Sequence, residues 1–130
     1  MELLPDGQKN TAAEVLWEDQ QRINKFSTLI FKKDAKLESL KKFKIEKEYL
    51  DDLGLEIELL DEDEKIQYKI GEVFIFMKVE EAIKKIEEED EKLTTKINEC
   101  EEEIDALEVT LNDLKKHLYA KFGNNINLEN

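Results

Sequence analysis

Apolar residues recur along this chain with two different periods, and the changes of period divide it. From Ala13 to Leu53 neither proline nor glycine interrupts the sequence, and Leu16, Ile23, Ile30 and Leu37 recur every seven residues, with Phe26 and Leu40 three positions further on. That spacing lays one apolar stripe along one face of a helix. Asp19 and Lys33 stand where the stripe calls for apolar residues. After Leu40 the stripe continues through Phe43, Leu50, Leu53, Ile57 and Leu60, but Leu40 to Leu50 is ten residues instead of eleven. A shortened step overwinds a supercoil locally. Leu55, Ile57 and Leu59 also alternate with Glu56 and Glu58, as a strand would. The 3-then-4 spacing from Leu50 to Leu60 favours helix, although Gly54 inside it costs roughly 1 kcal/mol against alanine. The predicted first helix covers residues 14–60. The run Asp61-Glu62-Asp63-Glu64 ends it, because four carboxylates oppose the macrodipole at a helix C-terminus.

The period then drops to two. Ile66, Tyr68 and Ile70 alternate with polar residues, Gly71-Glu72 follows, and Val73 to Met77 is rich in β-branched and aromatic side chains. This predicts a β-hairpin over 66–77. A second helix, 78–122, carries the most regular pattern. Ile83, Ile86, Asp90, Leu93, Ile97, Cys100, Ile104, Leu107, Leu111, Leu114 and Leu118 are spaced alternately three and four apart, and only Asp90 is polar. Such a seam belongs to a coiled coil. Gly123 fits a helix stop. The predicted fold is mainly α: a long antiparallel two-helix coiled coil with one β-hairpin at the helix–helix connection. A flexible lead (1–13) and a tail (124–130) flank this single domain (14–123).

Composition supports long solvated helices. Of 130 residues, 41% are charged and five are glycine or proline. The net charge is −13, distributed as 10 basic against 9 acidic residues over 1–50 and 10 against 24 over 51–130. A more basic first helix therefore faces an acidic second one. The acidic balance disfavours nucleic acid and anionic membrane as partners. The longest purely apolar run, Val73 to Met77, is five residues, far short of the roughly 20 that span a bilayer. No signal peptide is expected. The lone cysteine, Cys100, cannot form an internal disulfide and suits a reducing compartment.

Catalytic chemistry is not expected. His117 lies outside the seam without a nucleophile or acid beside it, Cys100 is a small seam residue, and no phosphate-binding glycine loop occurs. Asp61, Asp63 and Glu72 match three positions of a calcium loop, but Ile66 replaces its glycine and Lys65 puts a cation among the ligands. No cofactor and no metal are expected. Glu87-Glu88-Glu89 and Glu101-Glu102-Glu103 read as solvated faces. Two features remain. The hairpin carries apolar side chains on both faces and has open edges, so it needs partner strands. Trp17, Phe26, Tyr119 and Phe122 concentrate aromatics near the tip that holds both chain ends, more than one seam buries.

The run Trp17-Glu18-Asp19-Gln20-Gln21-Arg22-Ile23-Asn24-Lys25-Phe26 resembles the opening helix of eukaryotic β-type prefoldin subunits. So do Tyr49-Leu50-Asp51-Asp52 through Asp61-Glu62-Asp63-Glu64, the hairpin Tyr68 to Ile75, and the ending Leu118-Tyr119-Ala120-Lys121-Phe122-Gly123-Asn124-Asn125-Ile126-Asn127-Leu128. The resemblance covers about residues 14–129. Trp17 stands where phenylalanine is expected and Lys65 where proline is expected. The resemblance implies a non-enzymatic subunit of a heterohexamer of two α-type and four β-type chains. It implies a cytoplasmic chaperone, compatible with a nuclear role, that holds unfolded actin and tubulin and passes them to the group II chaperonin without nucleotide. It makes Leu16, Trp17, Phe26, Tyr119 and Phe122 candidates for client contact. Phe26 also belongs to the seam, while Trp17, Tyr119 and Phe122 stand open between mutual packing and contact. Ile66, Tyr68, Ile70, Val73, Phe74, Ile75 and Phe76 become candidates for the subunit interface. The rival reading is a structural coiled-coil adaptor for folded partners.

Overall fold

A computed structural model describes residues 2–3, 16–70 and 72–128, the side chains of residues 2, 3 and 70 excepted. The elements are β1 (Glu2–Leu3), α1 (Trp17–Glu58), β2 (Lys65–Ile70), β3 (Val73–Lys78), α2 (Val79–Phe122), a 3₁₀ turn (Gly123–Asn125) and β4 (Ile126–Asn127). Two long helices and a small antiparallel hairpin match the fold class that the periodicities predict. The chain divides into two compact units, one of residues 1–37 with 102–130 and one of 38–101.

In the first unit, Ile23 and Phe26 of α1 pack with Leu111, Leu118 and Phe122 of α2 in one cluster. The antiparallel direction shows in the ion pairs, Lys33 to Glu108 at 3.4 Å and Lys36 to Glu103. Leu37, placed on the stripe by the seven-residue count, is 42% exposed, and half-buried Lys36 takes the inward position. The shortened step therefore begins before Leu40.

The predicted tail is not free. Gly123 leaves α2 at φ 56, the left-handed conformation that a side chain opposes. The chain turns back, and β4 pairs antiparallel with β1, Leu3 opposite Ile126 and Glu2 opposite Asn127. Ile126 and Leu128 are buried in the same cluster as Phe26 and Leu118. Of the predicted lead, residues 1 and 4–13 lie outside the described ones, and Glu2–Leu3 form β1.

In the second unit, Ile57, Tyr68, Met77, Val79, Ala82 and Ile86 form the core. Helix α1 ends at Glu58, earlier than predicted. Leu59 N–H turns to Glu56 O at 3.4 Å and Leu60 N–H to Ile57 O at 3.0 Å, tightening the last turn into a 3₁₀ pattern. Leu60, expected on the stripe, is thereby left exposed. The acidic run makes a turn closed by Glu64 N–H on Asp61 O (3.0 Å), whose carbonyls then serve α2. Val79 N–H donates to Glu64 O at 2.8 Å and Glu80 N–H to Glu62 O at 3.4 Å. Two of the orphan donors at the start of α2 are satisfied by main chain. The strands of the hairpin are one residue longer at each outer end than predicted, and Lys65, standing where proline was expected, pairs with Lys78 in the ladder.

All eleven seam positions of α2, Asp90 included, are buried or half-buried. The polar breaks are matched across the helices. Lys47, half-buried at a seam position of α1, reaches Asp90 at 3.0 Å and Asp51 at 3.2 Å. These carboxylates, Asp90 foremost, hold the Lys47 ammonium above the usual lysine range.

The two glycines of the helical region should respond to alanine with opposite signs. A Cβ on Gly54 meets only Ile86 Cγ2 at 3.6 Å, an ordinary contact, so Gly54→Ala should raise stability by about 1 kcal/mol through helix propensity. Gly123→Ala meets nothing within 4 Å, yet should lower stability by about 1 kcal/mol because φ is positive. Urea titrations followed by circular dichroism measure both.

Candidate functional site

Alternation of side chains across the hairpin produces two unlike faces. The ladder sets Ile66 opposite Met77 and Tyr68 opposite Ile75 on one face, and Gln67 opposite Phe76 and Lys69 opposite Phe74 on the other. The first face lies on the helices. Tyr68 and Met77 are buried and Ile66 is half-buried against the unit's core. Burial pushes the Tyr68 hydroxyl above the usual tyrosine range, with the Glu89 carboxylate adding to it. Ile66 and Tyr68 are thus covered by their own chain, which corrects the expectation that they face other subunits. The ends of two helices reach this face, a cover that no count along the sequence reveals. Met77, absent from the candidates, shares that face by its register with Ile66.

The opposite face is bare. Phe76 is 69% exposed and Phe74 is exposed beside it, with Lys69 Nζ 5.9 Å from the Phe74 ring centroid. Val73 and Ile75, which share the first face but lie nearer the turn, are exposed as well, while the side chain of Ile70 lies outside the described ones. Among the described residues each strand of the hairpin pairs only with the other, so both outer edges keep unpaired main-chain groups. Four exposed apolar side chains next to open strand edges are a surface for strand addition.

The second candidate surface lies in the unit that holds both chain ends. Trp17 is 73% exposed and Leu16 is exposed beside it. Phe26, by contrast, is 1% exposed, and Phe122 is buried in the same cluster. Fully burying such a side chain is worth about 1.5–3 kcal/mol, so neither offers contact without unpacking. With the chain end packed in the same cluster they are core, which corrects the expectation that they stand open for contact. Tyr119 is half-buried, and its hydroxyl accepts a hydrogen bond from Leu128 N–H at 3.0 Å.

Asp19 explains why the first turn of α1 holds Leu16 and Trp17 in place. It is the largest departure from the apolar stripe and is buried. One carboxylate oxygen accepts from Leu16 N–H at 3.1 Å, half of a capping box, and from Lys121 Nζ of the last turn of α2. The other accepts from Arg22 at 3.3 Å. The Lys121 hydrogen bond above all holds the Asp19 carboxyl below the usual carboxylate range, against the opposing effect of burial. Sequence reading flags Asp19 as an irregularity. Its partner follows only from the antiparallel register that also pairs Lys33 with Glu108.

A family model described as "Prefoldin subunit" matches residues 20–125. The chain is 53% identical over 129 residues to prefoldin subunit 4 of Saccharomyces cerevisiae, covering 99% of each. It is 40% identical over 125 residues to prefoldin subunit 4 of Homo sapiens, covering 93% of each. Among solved structures, the prefoldin beta subunit from Thermococcus strain KS-1 superposes with a TM-score of 0.74 at 16% identity, covering 85% of this chain and 96% of that one. At that identity the likeness shows the fold alone.

Because the Asp19 carboxyl is lowered in the folded chain, its contribution is present above the unfolded carboxylate value near 4 and is lost as pH falls through the folded value. Asp19→Asn should therefore lower stability at neutral pH and flatten the acid limb of the stability profile. Thermal melts from pH 7 down to about 2.5 check this; parallel profiles for the two proteins would contradict it.

Proposed function

The chain belongs to the prefoldin subunit family, and from that premise we propose that it is one of four β-type subunits joined to two α-type subunits in a heterohexamer. Prefoldin subunits are non-enzymatic chaperone components that assemble with one another. The finer reading is that the hexamer holds unfolded chains of the actin and tubulin class at its coiled-coil ends. It then hands them to the group II chaperonin in the cytoplasm, without nucleotide. No helix of the described residues is long and apolar enough to cross a membrane.

The observation that carries this reading is the bare hairpin face of Phe74 and Phe76 with open edges. A two-stranded hairpin is marginal alone. Here one face is anchored on the chain's own core, and the other is left for strands of sister subunits. Exposed Leu16 and Trp17 then supply one weak apolar contact per subunit. Linking several such contacts raises net affinity by roughly 10² to 10⁴ over one. The excess of acidic residues over 51–130 keeps a loaded complex soluble through repulsion. Release needs only a tighter receptor.

The adaptor reading predicts binding of folded partners and indifference to Leu16 and Trp17. The two surfaces should separate under mutation. Phe74→Ser with Phe76→Ser should abolish co-assembly with partner subunits in size-exclusion chromatography. Leu16→Ser with Trp17→Ser should leave assembly intact and weaken suppression of aggregation of a denatured protein several-fold in light scattering. Unchanged suppression would favour the adaptor.

A further inference from the structure

We propose that the apolar groove formed by Ile23, Phe26, Leu118 and Phe122 is a binding site for an extended polypeptide segment with apolar side chains two residues apart. Ile126-Asn127-Leu128 of this chain occupies it until such a segment displaces it. The inference rests on the reading of the chain as a holder of unfolded proteins, and it names where and how one such protein is gripped.

The recognition chemistry is displayed by the occupant. Ile126 is extended, at φ −137 and ψ 143. Ile126 and Leu128 are buried in the groove cluster, Leu128 to 1% exposure, while Asn127 between them points away and is exposed. The main chain is held too, through the pairing of β4 with β1 and through Leu128 N–H on the Tyr119 hydroxyl at 3.0 Å. The occupant contributes two alternate apolar side chains, an amide donor and an extended backbone. Nearly every unfolded protein offers these in many places, and a folded one offers few.

The occupant is also built to leave. It pairs over only two residues. It joins α2 through Gly123, whose left-handed backbone already turns the chain sharply and whose Cβ position is open. Leu16 and Trp17, exposed in the same unit, give an incoming segment further apolar contact. A groove filled by its own chain explains how an apolar site exists on an isolated subunit without promoting aggregation: the tail covers it unless a segment takes its place.

Hydrogen exchange on the assembled wild-type complex tests this directly. The probe is a permanently unfolded chain, reduced and carboxymethylated lactalbumin. Probe binding should strip protection from the amides of Asn127 and Leu128. Ile126→Ser with Leu128→Ser should raise affinity for the probe. If the tail is docked ~90% of the time, vacating the groove raises affinity there ~10-fold. Probe binding with the tail amides still protected would overturn this proposal and leave the chaperone reading standing. So would weaker probe binding by the doubly substituted complex, assembly and helix content being unchanged. Failure of the wild-type complex to bind the probe at all would overturn both.

Discussion

The structure depends on the register in which two imperfect apolar seams meet. Leucine and isoleucine alone would let antiparallel helices slide by a turn at little cost, since one apolar layer packs much like the next. The polar breaks remove that freedom. Asp19 lies against Lys121, Lys33 against Glu108, and Lys47 against Asp90. A slip of one turn would part the buried Asp19 from Lys121 and the half-buried Lys47 from Asp90, and an uncompensated charge within a seam is far more costly than the modest net worth of the pair. These pairs act as a registry device more than as a source of stability, the role that single polar residues play in coiled coils.

That register has consequences at both functional surfaces. At one, it brings Lys121 to Asp19, which closes the first turn of α1 and holds Trp17 outward. At the other, it ends α1 and begins α2 so that Ile57, Val79, Ala82 and Ile86 form a floor for one face of the hairpin. The hairpin becomes ordered on that floor yet remains apolar on its other face. An element stable enough to be presented, and incomplete enough to need neighbours, follows from covering one side only.

Much of this was legible in the residues. Spacings of three and four in α2 named eleven inward positions, Asp90 included, but not Val79, Ala82 or Phe122 at its two ends. Alternation named the hairpin, and Gly123 the end of α2. The exceptions share a cause: they depend on what lies across from a residue. Tyr68 and Ile66 read as interface because their cover comes from helix ends distant in the chain. Phe26 and Phe122 read as contact candidates because the returning Ile126 and Leu128, which close over them, look from the sequence like a polar tail. Two apolar residues two apart were the available signal, too short for a periodicity to be counted. Leu37 falls off the stripe because the shortened step begins before Leu40, in a turn where the inward residues are lysines and no apolar residue announces it.

The joint between the acidic turn and α2 is made of carbonyl oxygens, those of Glu62 and Glu64, with no side chain taking part in either bond. Such a joint is lenient in composition and strict in length. The four carboxylates could be exchanged for other solvated residues while the geometry survived, whereas gaining or losing a single residue there would carry the oxygens past the amides they serve. Evolutionary drift at this corner should accordingly run through substitution, with insertions and deletions turned away to the hairpin tip.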